Sequence, residues 1–107
     1  MKTQQVILTT SVIAVADLTR RRFVGFNGNV CAAGAKALGV VEADTENGGV
    51  APANVMGVIL VEAGAAIAAG AEVESDANGK AITKAAGVVN GVAWDAAAAA
   101  GDLIRKI

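Results

Sequence analysis

From Phe23 onwards the chain alternates between short apolar stretches and clusters of glycine, asparagine and aspartate. Stretches this short, rich in valine and bounded by turn residues, predict strands, because helices need longer periodic segments. Arg22–Phe26 and Asn29–Ala32 flank Asn27-Gly28, the strongest short hairpin signal. Ala37–Glu42 continues the pattern up to a polar break over Asp44–Gly49. Val55–Glu62 is the longest apolar stretch and predicts a central strand. Pro52, the only proline, is expected in a loop or at a sheet edge because it lacks an amide donor. Ala71–Ser75 and Lys80–Lys84 flank Asp76-Ala77-Asn78-Gly79, a second hairpin. Val88–Trp94 and Asp102–Ile107 complete the set. The expected fold is all-β, a small barrel or sandwich of about six to nine short strands.

Residues 1–22 contain no glycine and are rich in Val, Ile and Thr, which favours extended structure. Gln5–Leu8 and Ser11–Val15 are the segments expected to extend. Residues 1–22 are accordingly read as an N-terminal arm or edge strand, and residues 23–107 as the β-rich core domain. An arm of this kind needs a partner for its backbone groups. Lys2 followed by the apolar stretch to Ala16 also has the outline of a secretory signal, but Thr9, Thr10 and Ser11 interrupt it.

Ala32-Ala33-Gly34-Ala35, Ala68-Ala69-Gly70-Ala71 and Ala99-Ala100-Gly101-Asp102 share one design. Each predicts a compact turn closed by a left-handed glycine, after which the chain extends again. Their unequal spacing excludes a solenoid. Ala96 to Ala100 favour helix by propensity. A stretch that short does not overcome the cost of nucleation, so one helical turn is the most expected there.

Composition changes the picture in one respect. Hydrophobic residues make up 54% of the 107-residue chain but aromatics only 3%, namely Phe23, Phe26 and Trp94. Alanine and valine bury little area each, and hydrophobic stabilisation scales with area. A core of such residues is thin, which favours further burial between subunits or against a larger surface. The net charge of −1 argues against nucleic acid as a partner. Arg20-Arg21-Arg22 is a short basic run, read as a solvated or ion-paired corner. No stretch approaches the ~20 apolar residues of a membrane helix, so no membrane partner is expected.

Catalytic chemistry finds little support in the residue types. The absence of histidine removes the commonest general base and the Ser-His and Cys-His pairs. Cys31, the single cysteine, is expected to be a buried structural residue. Glu72, Glu74 and Asp76 share one parity along a strand. They suit a cation or paired-carboxylate chemistry only weakly, and the preferred reading is an exposed, solubilising face. Asp44, Glu46 and Asn47 lack the spacing of a calcium loop, and Asn78-Gly79-Lys80 lacks the rest of a phosphate loop. No cofactor is expected. Trp94 is expected to anchor a core or an interface.

Taken in order, several segments resemble a known family. They are Ala37-Leu38-Gly39-Val40-Val41-Glu42-Ala43-Asp44, Gly57 through Val73, and Asp76-Ala77-Asn78-Gly79-Lys80-Ala81. The closing Asn90-Gly91-Val92-Ala93-Trp94 and Ala98 to Ile104 belong to the same pattern. The pattern is similar to small phage capsid cement (decoration) proteins, many of which carry a RecA/RadA recombinase label. The missing phosphate loop argues against that label here. The resemblance covers roughly residues 23–107 and rests on order and spacing. It implies a non-catalytic virion protein, made in the host cytoplasm. It further implies a homotrimer attached to the exterior of the major capsid protein lattice after head expansion.

If so, the segment before the core is the expected capsid contact. Val6, Ile7, Leu8, Val12, Ile13 and Val15 would supply apolar contacts, with Arg20, Arg21 and Arg22 as a polar anchor. Strand addition to a capsid sheet edge is the expected mode, strengthened by multivalency in the trimer. The alternatives are another head or tail structural module, or a small metal- or sugar-binding β domain.

Overall fold

A computed structural model describes residues 2–107 as seven strands, with no helix among them. These are β1 (Gln5–Ile13), β2 (Phe23–Val24), β3 (Gly39–Val41), β4 (Val50–Glu62), β5 (Val73–Ser75), β6 (Ala81–Thr83) and β7 (Leu103–Lys106). All strand pairs are antiparallel. Five strands form one sheet in the order β1-β4-β3-β2, with β7 also on β4, and β5-β6 is a separate hairpin. The fold is all-β, as the alternation of apolar stretches and turns predicts.

β4 is the thirteen-residue spine of the sheet. Its first half carries β1 and β3, and its last four residues carry β7. Ala51 and Ala53 face a small core with Ala14, Leu18, Val24 and Val41. Ile59 and Val61 enter a larger core with Phe23, Val40, Val73 and Ile104. Cys31 is buried in that larger core, where desolvation raises its thiol pKa more than the Ser75 contact lowers it. Eight alanines of the two cores, at positions 14, 37, 51, 53, 63, 81, 93 and 97, are buried. Side chains that small let the backbone segments approach closely.

The barrel does not close. The sheet curls until the turn after β2 meets the end of β1, where Val15 N–H donates to Gly28 O at 3.1 Å. A Cβ on Gly28, whose φ is +86°, would strike Ile13 O, so glycine is needed for that approach. No ladder joins β1 to β2, and the two edges stay unpaired with each other.

Three other segments differ from expectation. Pro52 lies inside β4 between β1 and β3 rather than in a loop. Its carbonyl accepts from Glu42 N–H at 3.0 Å, one residue past the end of β3, so the missing donor falls where that ladder ends. Val88–Trp94 is extended but is not a strand. Its amides and carbonyls are divided among Gly34, the Gly70–Val73 stretch, and Arg105 and Ile107, so no single partner supports a ladder. Gln5–Leu8 and Ser11–Val15 are not two segments but one strand, bent at two bulges where Ile7 and then Val55 are left without a partner.

The turn devices are where the sequence places them. Gly34, Gly70 and Gly101 all have positive φ, and each closes a turn ahead of extended chain. Ala96 to Ala100 form no helical turn, because Ala97 instead bridges to Ile67 and is buried there.

Gly57 sits beside the bulges with φ +121°, and a Cβ there would lie 2.3 Å from Gln5 O. Gly48, with φ +90°, has nothing within 4 Å. Gly48→Ala is expected to cost about 1 kcal/mol in urea unfolding, from backbone strain alone. Gly57→Ala is expected to cost about 2 kcal/mol or more, because the clash with β1 adds to the strain. Equal losses at the two positions would contradict the β1-β4 register described here.

Candidate functional site

β1 is the terminal strand of its sheet, so one side of its backbone faces no strand among the described residues. The register with β4 identifies which groups those are. Pro52 points its backbone toward β3, so its partner Ser11 is a non-hydrogen-bonded pair on the β4 side. By alternation, Thr9, Ser11 and Ile13 aim their N–H and C=O groups away from β4. The Ile13 end of this edge is covered by Gly28. The Thr9 and Ser11 groups have no backbone partner among the described residues.

The side chains of the same strand are unusually apolar for an edge. Ile7 is 77% exposed, Leu8 and Ile13 are also exposed, and exposed Val15 follows just beyond the strand. Leu8 stands opposite exposed Met56, and Ile13 stands opposite exposed Val50. These cross-strand pairs extend the apolar surface onto β4. Val6 and Val12 are different: they are half-buried and pack against the larger and smaller cores respectively. Beside Val6 and Ile7 an open groove of about 410 Å³ is completed by Gln5, Gly57, Val58 and Ile107. Val92 exchanges both backbone hydrogen bonds with Ile107 and prolongs that surface.

The arginine run is split by its geometry. Arg22 pairs with Glu62 at 3.2 Å, and Lys80 shares the same carboxylate at 3.4 Å. Arg21 adopts φ +68° and turns inward, donating to Glu42 at 2.9 Å and to Gln4 Oε1 at 3.0 Å. Only the Arg20 side chain of the three is exposed, while its amide is held by Asp44 Oδ1 at 2.7 Å.

Glu42 is the centre of a polar knot that sequence spacing did not reveal. Its carboxylate accepts from Arg21, from Gln4 Nε2 at 2.9 Å and from Asn54 Nδ2 at 2.7 Å. Asn54 in turn accepts from Thr9 Oγ1 at 2.9 Å, and Gln4 Oε1 accepts from Leu60 N–H at 3.1 Å. The knot fastens the start and the middle of β1 to β4 and to the end of β3. Desolvation works against the charge on Glu42, but hydrogen bonds from Gln4 and Asn54 and the Arg21 and Arg20 charges outweigh it, so its pKa is lowered.

Trp94 is half exposed, with the Arg105 guanidinium 4.1 Å from its ring centroid. Asp95 grips the same guanidinium at 2.9 and 2.8 Å, and Arg105 hydrogen bonds, from side chain and then backbone, hold the Asp95 carboxyl well below the usual range. Trp94 is therefore a surface aromatic and not a core anchor.

A family model described as phage cement protein matches residues 1–106. The chain belongs to the phage cement protein family. No curated protein matches this cement protein. Its fold is similar to that in "The crystal structure of head fiber gp8.5 N base in bacteriophage phi29", with a TM-score of 0.75 and 19% identity. The superposition covers 92% of this chain and 91% of the other.

The three acids of the β5 region take separate structural roles in the cement protein. Glu74 is buried, not exposed, and accepts from the amides of Ala85 and Gly87. Asp76 caps its turn through Asn78 and Lys80 N–H at 2.8 and 2.9 Å, and Glu72 is exposed. Among the described residues no three acidic, cysteine or histidine side chains are grouped to hold a metal.

Because the folded pKa of Glu42 lies below its unfolded value, near 4.3 in model peptides, its contribution is present above that value. It disappears as pH falls through the lower, folded value. Glu42→Gln is expected to lower stability at neutral pH by about 1 kcal/mol, a modest figure for a partly exposed network. It is also expected to shrink the acid-induced loss of stability seen below about pH 4. Denaturant titrations of both proteins across that range provide the check, and identical acid sensitivity would contradict the role given to Glu42.

Proposed function

We propose that this cement protein is a non-catalytic adhesion module that binds the outer surface of the major capsid protein lattice and stiffens the head. The observation that carries the reading is the β1 edge: exposed apolar side chains on a strand whose outward backbone groups have no partner. Monomeric soluble proteins usually blunt such an edge with charge or proline, and β1 carries neither. The family match over nearly the whole chain supports a capsid-associated structural role. The fold shared with a phage head fibre base is consistent with a place on the head.

In mechanism, Ile7, Leu8 and Ile13 enter pockets on the capsid, with Val15 extending the contact at the covered end. The free groups of Thr9 and Ser11 pair with a capsid strand edge. Val6 and Val12, half-buried in this chain's own cores, hold β1 in position and take a smaller share of the contact. Arg20 supplies the exposed charge, while Arg21 and Arg22 brace the corner from within. The protein acts as a homotrimer, made in the host cytoplasm and added to the exterior of the expanded head. Three copies of a weak contact then act together through effective concentration.

Removing β1 altogether would strip β4 of its ladder and expose the smaller core, so point substitutions test the surface more cleanly. Ile7→Asp combined with Ile13→Asp is expected to leave the circular dichroism spectrum unchanged and to abolish co-sedimentation with expanded heads. Retained co-sedimentation would refute the role of β1. Sedimentation equilibrium of the wild-type protein is expected to return a trimer, and a monomer at all concentrations would remove the multivalent part of the mechanism.

A further inference from the structure

Lys106, on β7, carries a side chain that the fold has nearly enclosed. The residue is only 8% exposed. The ion pairs of the described residues engage Arg21, Arg22, Lys80 and Arg105, leaving Lys106 without a carboxylate. Its ammonium has no hydrogen-bond partner among the described residues either. No fully occluded side-chain nitrogen lacks a partner, so this one retains an opening. That opening is a narrow pocket of about 40 Å³, lined by Phe23, Lys36, Gly39, Val55, Asn90 and Lys106.

The pocket is built, not incidental. The Lys106 stem runs against Gly91, where a Cβ would lie 2.7 Å from its Cδ. Asn90 is buried and forms part of the wall, accepting from Ala37 N–H and donating to Ala35 O, each at 3.0 Å. That clamp fixes the segment carrying Lys36. Two cations therefore line one small space, and desolvation together with the Lys36 charge makes the charged form of Lys106 harder to hold. Lys36 is exposed and hydrated, but the enclosed Lys106 ammonium faces that second cation and no carboxylate, which asks for an anion. The volume suits roughly three waters, about the size of one carboxylate or phosphate group.

We propose that the pocket between Lys36 and Lys106 binds a small oxyanion. Lys106 donates charge-assisted hydrogen bonds from the buried side, and Lys36 closes over the anion from solvent. A neutral ligand would leave both charges uncompensated. None of the residues lining the pocket belongs to β1, and the site is tested on the free protein without capsids.

The test is a nitrogen-15 amide NMR titration of the full chain at constant ionic strength, with inorganic phosphate in one arm and acetate in the other, and chloride as the background salt. Saturable shifts are expected at Ala37, Leu38, Gly39 and Asn90 in at least one arm, and the tighter arm identifies the oxyanion class. Lys106→Met retains the apolar stem and is expected to weaken binding about tenfold or more, with Lys36→Gln causing a smaller loss. Thermal unfolding of each variant establishes that it is folded under the titration conditions. Linear, unsaturated shifts in both arms, or unchanged affinity in folded Lys106→Met, would overturn the proposal.

Discussion

The antiparallel pairing of β4 is the constraint on which the rest of the molecule depends. A chain whose cores are filled with alanine and valine gains little from each buried side chain. It must therefore gain from close backbone approach and fully used ladders. β4 supplies both, carrying β1 and β3 on its first half and β7 on its second. The small alanines at 51 and 53 let the lower core close, while Ile59 and Val61 supply volume to the upper one. The Glu42 knot then ties strand register to specific side chains, so that β1 is held at one alignment with β4.

That economy has a consequence at the surface. Large apolar side chains that a thicker protein would bury are displayed instead: Ile7, Phe26, Val50, Trp94 and Ile107 are each at least half exposed. Many of them belong to β1, to its cross-strand neighbours on β4, or to the chain end beside them. A thin core and an adhesive edge are thus two sides of one composition, and the structural role of the cement family fits both. The charged residues serve mainly to brace this arrangement. Arg21, Arg22, Lys80 and Arg105 are all committed to ion pairs within the chain.

The parts of the fold that were legible in the sequence are those determined locally. Asn27-Gly28 and Asn78-Gly79 mark turns because glycine is needed for positive φ, and the three alanine-glycine turns follow the same rule. The central position of Val55–Glu62 follows from its uninterrupted apolar character. What escaped was determined by pairing. Pro52 is tolerated in β4 only because β3 ends beside it, and Val88–Trp94 fails to be a strand because its partners lie in three separate stretches of the chain. Glu74 lies on an alternating acidic stretch that reads as solvated, yet the backbone amides of Ala85 and Gly87 draw it inside. The arm reading put Ile7 and Leu8 on a contact surface and both are exposed, but it put Val6 and Val12 there too, and those are half-buried. The neighbours Met56, Val58 and Ile107 were not legible, since two bulges shift the register that brings them alongside.

Amide hydrogen exchange, compared between the free protein and the protein on expanded heads, addresses adhesion through the β1 edge most directly. Thr9 and Ser11 amides should exchange rapidly in the free chain and become strongly protected on the shell, while β4 amides stay protected in both. Equally fast exchange of those two amides in both states, with protection gained on some other surface, would show that the molecule adheres by different chemistry.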